Sequence, residues 1–219
     1  MLAYGKSVGL HSLNVNTNGM LLTPELVDPL LDSGVDLIVI GIDGFKSESY
    51  ESIRIGGNRD ILYANIERLL AARFSRDDGP EIQTRFIEMD ENEGELEEYK
   101  AYWMARGATL KVRNKLSWGG KFDTPVNVSA EDRIPCPWAL IMMHVFWDGR
   151  VPRCPGDTEG EEGAGNAWNE PLADLWGQLS PHRENHLAHD FGALPERCHT
   201  CKDWMTGSAE RIRPVPAES

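Results

Sequence analysis

The stretch VDLIVIGIDG, residues 35–44, decides the fold. Its apolar residues run almost without interruption instead of alternating with polar ones. A strand that is apolar on both faces has to be covered on both, either by helices on the two sides of a sheet or by closure into a barrel. The stretch therefore predicts a buried strand inside a parallel α/β fold.

The residues before this strand show a strand pattern followed by a helix pattern. SLNVNTNG, residues 12–19, predicts a short strand that runs into a turn. TPE, residues 23–25, then provides an N-cap, a first-turn proline and a first-turn acid, so a helix is predicted to start there. We expect Gly34 to end this helix and Pro29 to kink or shorten it.

The same alternation continues after the strand. An apolar helical stripe covers residues 61–70, EIQTRFIEM at 81–89 predicts a strand, and a further helical stripe covers 96–103. ATLKVRN at 108–114 predicts another strand. Strands that alternate with helices pair in parallel through right-handed crossovers. We therefore predict an α/β domain over residues 1–115.

Composition and charge exclude several classes of protein. The chain has 219 residues and a formal net charge of −13, which argues against a nucleic acid or an anionic membrane as the main partner. Its apolar runs are too short to span a bilayer, and its first residues lack the pattern of a signal peptide. We therefore predict a cytoplasmic protein.

The character of the sequence changes after residue 115. SWGGKFDTPVNVSAEDRIP, residues 117–135, has many glycines, prolines and small polar residues and few periodic apolar ones. Such a composition predicts a linker, which we assign to residues 116–135. Residues 136–206 are predicted to form a small module, and residues 207–219 a flexible tail.

The predicted module begins with a hairpin signal. ALIMMHVFW at 139–147 and the residues that follow Gly149 flank Asp148-Gly149, a typical two-residue turn. A turn there pairs Cys154 with a residue well after Cys136. The segment around Cys136 must therefore bend back if the two cysteines share a site.

The chain contains four cysteines, and all of them lie in this module. They are Cys136, Cys154, Cys198 and Cys201. In a reducing compartment a Cys-x2-Cys pair indicates metal or redox chemistry more than disulfides. Four thiolates suit structural Zn²⁺ or an iron–sulfur cluster, and the spacing alone does not choose between them. Four unrelated buried thiols are the simpler alternative.

The module resembles a known iron–sulfur domain. CPWALIMMHVFWDGRVPRC at 136–154, Gly165-Asn166, LADLW at 172–176 and CHTCKDW at 198–204 are similar to the SPASM or "twitch" module of radical S-adenosylmethionine (radical SAM) enzymes. The resemblance implies that the four cysteines bind one auxiliary [4Fe–4S] cluster. It also implies a small cysteine-rich fold of a β-hairpin and helices.

The upstream part resembles the same family. Residues 14–44 with YESIRIGG at 50–57 are similar to the fourth and fifth βα units of the radical SAM barrel, and residues 85–114 to its sixth unit and the strand that follows. The implied fold is the C-terminal half of a partial (β/α)6 barrel. The resemblance covers nearly the whole chain.

The resemblance also implies roles for individual residues. The implied S-adenosylmethionine ligands are Asn16, Thr17 and Asn18 near the ribose and Arg54 at the methionine carboxylate, where a guanidinium fits a carboxylate. The implied substrate-pocket residues are Arg113 and Trp118. Simpler structural roles are a turn for Asn18, a surface ion pair for Arg54 and a loop anchor for Trp118.

Two features depart from the family pattern. Gly41 stands where the family usually has a serine that contacts the cofactor. The Cys-x3-Cys-x2-Cys loop of the catalytic cluster is absent from these 219 residues, as are counterparts of the first three barrel strands. The chain is therefore expected to be a truncated relative, inactive alone in reductive cleavage of S-adenosylmethionine.

Three functions follow as expectations. The first is a radical SAM/SPASM iron–sulfur protein, whose intact relatives are oxidoreductases or modify a peptide or a small molecule by radical chemistry. The second is a non-catalytic α/β protein with a structural four-cysteine zinc site that acts by protein contact. The third is a split protein whose missing barrel half is supplied by a partner chain.

Overall fold

A computed structural model describes residues 1–208 and 210–212, except for the side chains of residues 130 and 206–212. The chain forms two units. The first contains Met1–Arg113 and the described part of residues 209–219, and the second contains Asn114–Ser208.

A parallel sheet forms the centre of the first unit, in the order β1-β2-β3-β4. Its strands are β1 (Asn14–Thr17), β2 (Leu37–Gly41), β3 (Glu81–Glu88) and β4 (Thr109–Asn114). In the register of the first three strands, Val15 lies beside Ile38, and Ile38 beside Ile82. The predicted α/β class is confirmed.

Helices connect these strands, as the alternating pattern predicted. They are α2 (Pro24–Leu31), α3 (Ser47–Ile53), α4 (Arg59–Phe74) and α5 (Leu96–Met104), and a further helix, α1 (Leu2–Ser7), precedes β1. Pro29 lies inside α2, which ends two residues later. The side chain of Asn58 caps α4 by accepting a hydrogen bond from the Ile61 N–H at 2.9 Å.

The core of the first unit surrounds β2. Ile38 and Ile40 are fully buried, and so are Phe86 on β3 and Tyr99 and Trp103 on α5. These large side chains fill the space between sheet and helices. Their burial explains why the residues of β2 are almost continuously apolar.

The second unit is built from short elements. They are α6 (Pro137–Ile141), β5 (Arg150–Val151), β6 (Gly165–Asn166), α7 (Leu172–Gln178), α8 (Ser180–Leu187) and α9 (Glu196–Thr200). β5 and β6 pair antiparallel, and Val151 packs with Leu175 and Leu179 in a small apolar core. Because this apolar core is small, polar contacts contribute much of the stability of the second unit.

The predicted hairpin differs from the observed structure. Part of residues 139–147 belongs to α6, because Pro137 takes the first turn of a helix. Asp148-Gly149 does form a tight turn, closed by a hydrogen bond from the Phe146 N–H to the Arg150 carbonyl. The strand β5 that follows forms its two-stranded sheet with β6, and residues 139–147 contain no strand.

The predicted linker and tail also contain ordered structure. Residues 117–120 lie in the second unit and are held by side-chain hydrogen bonds. In the predicted tail, Glu210–Ile212 form a strand, β7, antiparallel to β4 at the end of the sheet. Residues 209 and 213–219 of that tail lie outside the described residues. None of the described helices is long and apolar enough to cross a membrane.

Candidate iron–sulfur or metal site

All four cysteines line one cavity of the second unit. Cys136 immediately precedes α6, Cys154 follows β5, and Cys198 and Cys201 lie in and just after α9. All four are free thiols. Segments that are far apart in the sequence therefore bring the complete set of cysteines to one place.

The size and the lining of this cavity bear on what it could hold. Its volume is about 30 Å³, more than the minimum that one water molecule needs. Within the described part of the chain, no three His, Cys, Asp or Glu side chains are close enough together to hold one metal ion. The donor chemistry suits zinc or an iron–sulfur cluster.

Backbone N–H groups interact with the cysteine sulfurs. The Asp203 N–H donates to Cys201 Sγ at 3.4 Å. Backbone hydrogen bonds from residues 138–139 act on Cys136, and those from residues 156–157 act on Cys154. Donors of this kind stabilise thiolate ligands in iron–sulfur sites.

The cysteines are neutral thiols in the absence of a metal. Burial raises the pKa of the Cys198 thiol to about 12 and that of the Cys201 thiol to about 11. Burial also raises the pKa values of Cys136 and Cys154. These thiols are therefore poor nucleophiles at neutral pH, and binding a metal to them releases protons.

Two buried histidines line the same cavity and were missed by the sequence analysis. His182 and His186 are four residues apart on α8, and only 3% and 1% of their surfaces are exposed. The His186 Nδ1 accepts a hydrogen bond from the Cys136 N–H at 3.4 Å. Burial lowers the pKa of each histidine to about 4, so both are neutral at pH 7. Their i, i+4 spacing is the signal that predicts a shared helix face.

Asp203 is a second residue that the sequence analysis missed. Its carboxylate is almost fully buried and lines the cavity. It accepts hydrogen bonds from the Ser117 N–H at 2.7 Å, the Ser117 hydroxyl at 2.9 Å and the Gly119 N–H at 3.1 Å. The loop that contains Trp118 is thus attached to the residues that follow Cys201.

The first unit contains two of the predicted cofactor ligands in one pocket. Asn18 and Arg54 line an open pocket of about 570 Å³. Thr17 and Asn18 also accept hydrogen bonds from the backbone N–H groups of Gly19 and Met20, so they form the turn that was the simpler alternative. Asn16 is an exposed residue of β1.

Arg54 has an ion-pair partner within the first unit. Its guanidinium pairs with the carboxylate of Asp43, which is 1% exposed. A β-carbon built on Gly41 lies 2.9 Å from Arg54 Nη2 and 3.4 Å from Arg85 Nη2. The position where a serine was expected is therefore where two arginine side chains approach the end of β2.

The two predicted substrate-pocket residues belong to different units. Arg113 is the last residue of the first unit's main segment, and Trp118 lies in the second unit. Trp118 is 39% exposed and has a φ of 49°, which is unusual for a residue other than glycine. The substrate pocket stays a prediction.

Comparison with known proteins gives partial similarities. No protein-family profile matches the chain. An uncharacterized protein of Treponema pallidum is 31% identical over 125 residues, which cover 56% of this chain and 34% of that protein. The AdoMet-dependent heme synthase of Methanosarcina barkeri is 39% identical over 72 residues, 32% of this chain and 20% of the enzyme. The probable GTP 3',8-cyclase of Methanococcus maripaludis is 25% identical over 107 residues, 49% of this chain and 34% of the enzyme.

These similarities cover only a part of each relative. The chain spans about a third or less of the length of the curated relatives it matches. The heme synthase and the cyclase are radical SAM enzymes, so the partial matches suggest a relation to that family.

Proposed function

We propose that the chain is a radical SAM/SPASM iron–sulfur protein. Its second unit holds one auxiliary [4Fe–4S] cluster through Cys136, Cys154, Cys198 and Cys201. Its first unit is part of a radical SAM barrel and contributes to the binding of S-adenosylmethionine. The substrate is a small molecule or a peptide, and the strands that complete the barrel come from another segment or a partner chain.

The arrangement of the cysteines carries this proposal. The chain has four cysteines in 219 residues, and all four line a single cavity although up to 65 positions separate them. Unrelated buried thiols have no reason to gather in this way. Backbone N–H groups near the sulfurs of Cys136, Cys154 and Cys201 supply the donors that thiolate ligands need.

Each part of the chain has a defined task in this function. A bound cluster supplies one-electron chemistry or a site that positions substrate. The cysteines hold it, the turn at residues 117–120 and Asp203 fix the segment after Cys201, and the buried histidines exclude water. These tasks are binding, orientation and exclusion of solvent.

Arg54 has a more specific task in the first unit. Because Asp43 already pairs with it, a cofactor carboxylate at this pocket meets a guanidinium whose position is fixed. Holding a guanidinium in place before binding reduces the entropy lost when a carboxylate docks. Asp43 also competes for that guanidinium, so the gain in affinity from Arg54 is limited.

A structural zinc site is the second candidate, because four thiolates suit zinc as well as a cluster. Zinc needs four sulfurs at about 2.3 Å from one point. In that case the second unit is stabilised by the metal and acts by protein contact.

Anaerobic reconstitution with iron and sulfide distinguishes the two candidates. We expect about four irons and four sulfides per chain and a brown absorption spectrum. Each Cys→Ala substitution is expected to lower the iron content by more than half. Thr200→Ala is the matched control, because Thr200 lies between Cys198 and Cys201 and is exposed.

Two results contradict the proposal. One is a single colourless zinc per chain with no sulfide, which supports the structural site. The other is full iron content in Cys136→Ala or Cys154→Ala, which would show that the substituted cysteine is not a ligand of the cluster.

A further inference from the structure

Two side chains that line the cysteine cavity, His182 and Arg133, each have a buried ring or guanidinium nitrogen with no hydrogen-bond partner among the described residues. His182 is 3% exposed and lines the cavity, and its Nδ1 is buried without a hydrogen-bond partner among the described residues. Buried polar atoms are nearly always hydrogen-bonded, because an unsatisfied one destabilises the fold. At a candidate binding site, such an atom is available to donate a hydrogen bond to a ligand.

The neighbouring histidine provides a contrast. His186 is equally buried, but its Nδ1 accepts the N–H of Cys136. In a neutral imidazole the nitrogen that accepts has no proton, so the proton of His186 lies on Nε2. The Cys136 N–H therefore fixes the orientation of the His186 ring. The Nδ1 of His182 has no such partner among the described residues.

We propose that His182 donates its Nδ1–H to a sulfur atom of the cluster held by the four cysteines, and thereby raises the reduction potential of that cluster. This inference rests on the proposed function. A hydrogen bond to a cluster sulfur favours the reduced state, because that state carries more negative charge on sulfur. His182 is a positioning and tuning residue and not a ligand.

A fixed positive charge at the same cavity acts in the same direction. Arg133 lines the cavity, and its guanidinium lies 4.7 Å from the centre of the Phe191 ring. A cation near the cluster also favours the more negative, reduced state. The experiment therefore changes His182 and leaves Arg133 in place.

Three substitutions separate the hydrogen bond from the shape of the side chain. His182→Leu removes the donor. His182→Gln moves the amide nitrogen to about the position of Nε2, and His182→Asn keeps an amide nitrogen at about the position of Nδ1. His144→Leu is the matched control, because His144 has a buried, unpartnered Nε2 but does not line the cavity.

The measurement is an anaerobic redox titration of the reconstituted 219-residue chain, followed by electron paramagnetic resonance. At a fixed solution potential we expect the ratio of reduced to oxidised cluster to fall about tenfold in His182→Leu and His182→Gln, which corresponds to about 59 mV for one electron. His182→Asn and His144→Leu are expected to stay within about threefold of the wild type. Iron and sulfide contents are measured on each sample.

The outcomes separate this inference from the proposed function. A wild-type chain that binds no iron and sulfide contradicts the proposed function. A wild-type cluster with an unchanged ratio in His182→Leu overturns the role of His182 alone. If His182→Leu does not hold iron, the decision rests on His182→Gln, and an unchanged ratio there overturns the inference.

Discussion

Replacing Asp203 by alanine is expected to lower the free energy of unfolding of the second unit by about 3–5 kcal/mol. The buried carboxylate accepts three hydrogen bonds, from the Ser117 N–H, the Ser117 hydroxyl and the Gly119 N–H, at 2.7, 2.9 and 3.1 Å. Hydrogen bonds to a charged group contribute about 1.5–3 kcal/mol each. The full sum is an upper limit, because the alanine variant no longer buries a carboxylate.

The backbone of the attached loop adds to this effect. Trp118, Gly119 and Gly120 have φ values of 49°, 70° and 83°. A left-handed conformation costs a residue other than glycine about 1–2 kcal/mol, so Trp118 keeps it only while its neighbours hold it. Without the carboxylate of Asp203, two backbone N–H groups of the loop lose their acceptor. The loop is then expected to leave this conformation.

Urea unfolding of the metal-free chain, combined with hydrogen exchange of amides in the second unit, measures the change. Asp203→Asn is expected to lose less, because it keeps one acceptor oxygen. Asp190→Ala is the matched control, since Asp190 is exposed and accepts one bond from the Ala193 N–H at 3.3 Å. It is expected to cost about 1 kcal/mol or less.

A double-mutant cycle tests the assignment of the contacts. Ser117→Ala and Asp203→Ala are expected to couple by at least about 1 kcal/mol, because they remove the same hydrogen bond. A loss of less than about 1 kcal/mol in Asp203→Ala, or additive effects in the cycle, refutes the reasoning.

Three further predictions concern the first unit, each measured by urea unfolding. Arg54→Ala is expected to lower the free energy of unfolding by about 2–3 kcal/mol, because it leaves the carboxylate of Asp43 buried without its partner. The loss is smaller than for a fully buried ion pair, since the Arg54 side chain is 34% exposed. An unchanged free energy of unfolding would mean that the ion pair is absent in solution. Gly41→Ser is expected to lower the free energy of unfolding by about 1–2 kcal/mol, because its β-carbon would lie 2.9 Å from Arg54 Nη2. If Gly41→Ser costs as much in the Arg54→Ala variant as in the wild type, this contact is not the cause. Tyr99→Phe is expected to cost about 1 kcal/mol, because the Tyr99 hydroxyl donates to Thr84 Oγ1 at 2.7 Å, and an unchanged midpoint contradicts it.

The sheet of the first unit could be predicted from the sequence because each segment has one strong pattern. The continuous apolar run at 35–44 fits a strand covered on both sides, and the structure has β2 there with most of its residues buried. The helical stripe at 61–70 fits α4 because Asn58 caps its start. In these segments the local pattern and the tertiary packing agree.

The short elements of the second unit were harder to predict. ALIMMHVFW at 139–147 is an apolar run of a length that suits a strand or a buried helix, and hydrophobicity alone does not separate them. Pro137 favours the helix, and the pairing of β5 with β6 depends on a 13-residue loop between them. Contacts across such a loop are not encoded in a nearby pattern.

The polar residues around the cavity were hard to predict for the same reason, because their partners come from distant segments of the sequence. The four cysteines could be predicted as one set, because the chain has no other cysteine from which a four-thiolate site could be built. His182, His186 and Asp203 have no such signature, since their roles depend on burial beside segments about 50 or more residues away. The sequence contains their spacing but not their surroundings.

Gly41 shows how a difference from a family pattern changes meaning once the structure is known. From the sequence it is a missing hydroxyl at the end of a strand. In the structure a side chain there meets the guanidinium groups of Arg54 and Arg85, and Arg54 is held by the buried Asp43. The space at this position is therefore occupied by arginine side chains that come from other segments of the first unit. A serine at residue 41 would need space that the Arg54 guanidinium occupies, so the Arg54 side chain would have to move away from Asp43. The glycine and the arginine are therefore coupled, and the two changes together are expected to cost less than the sum of their separate costs.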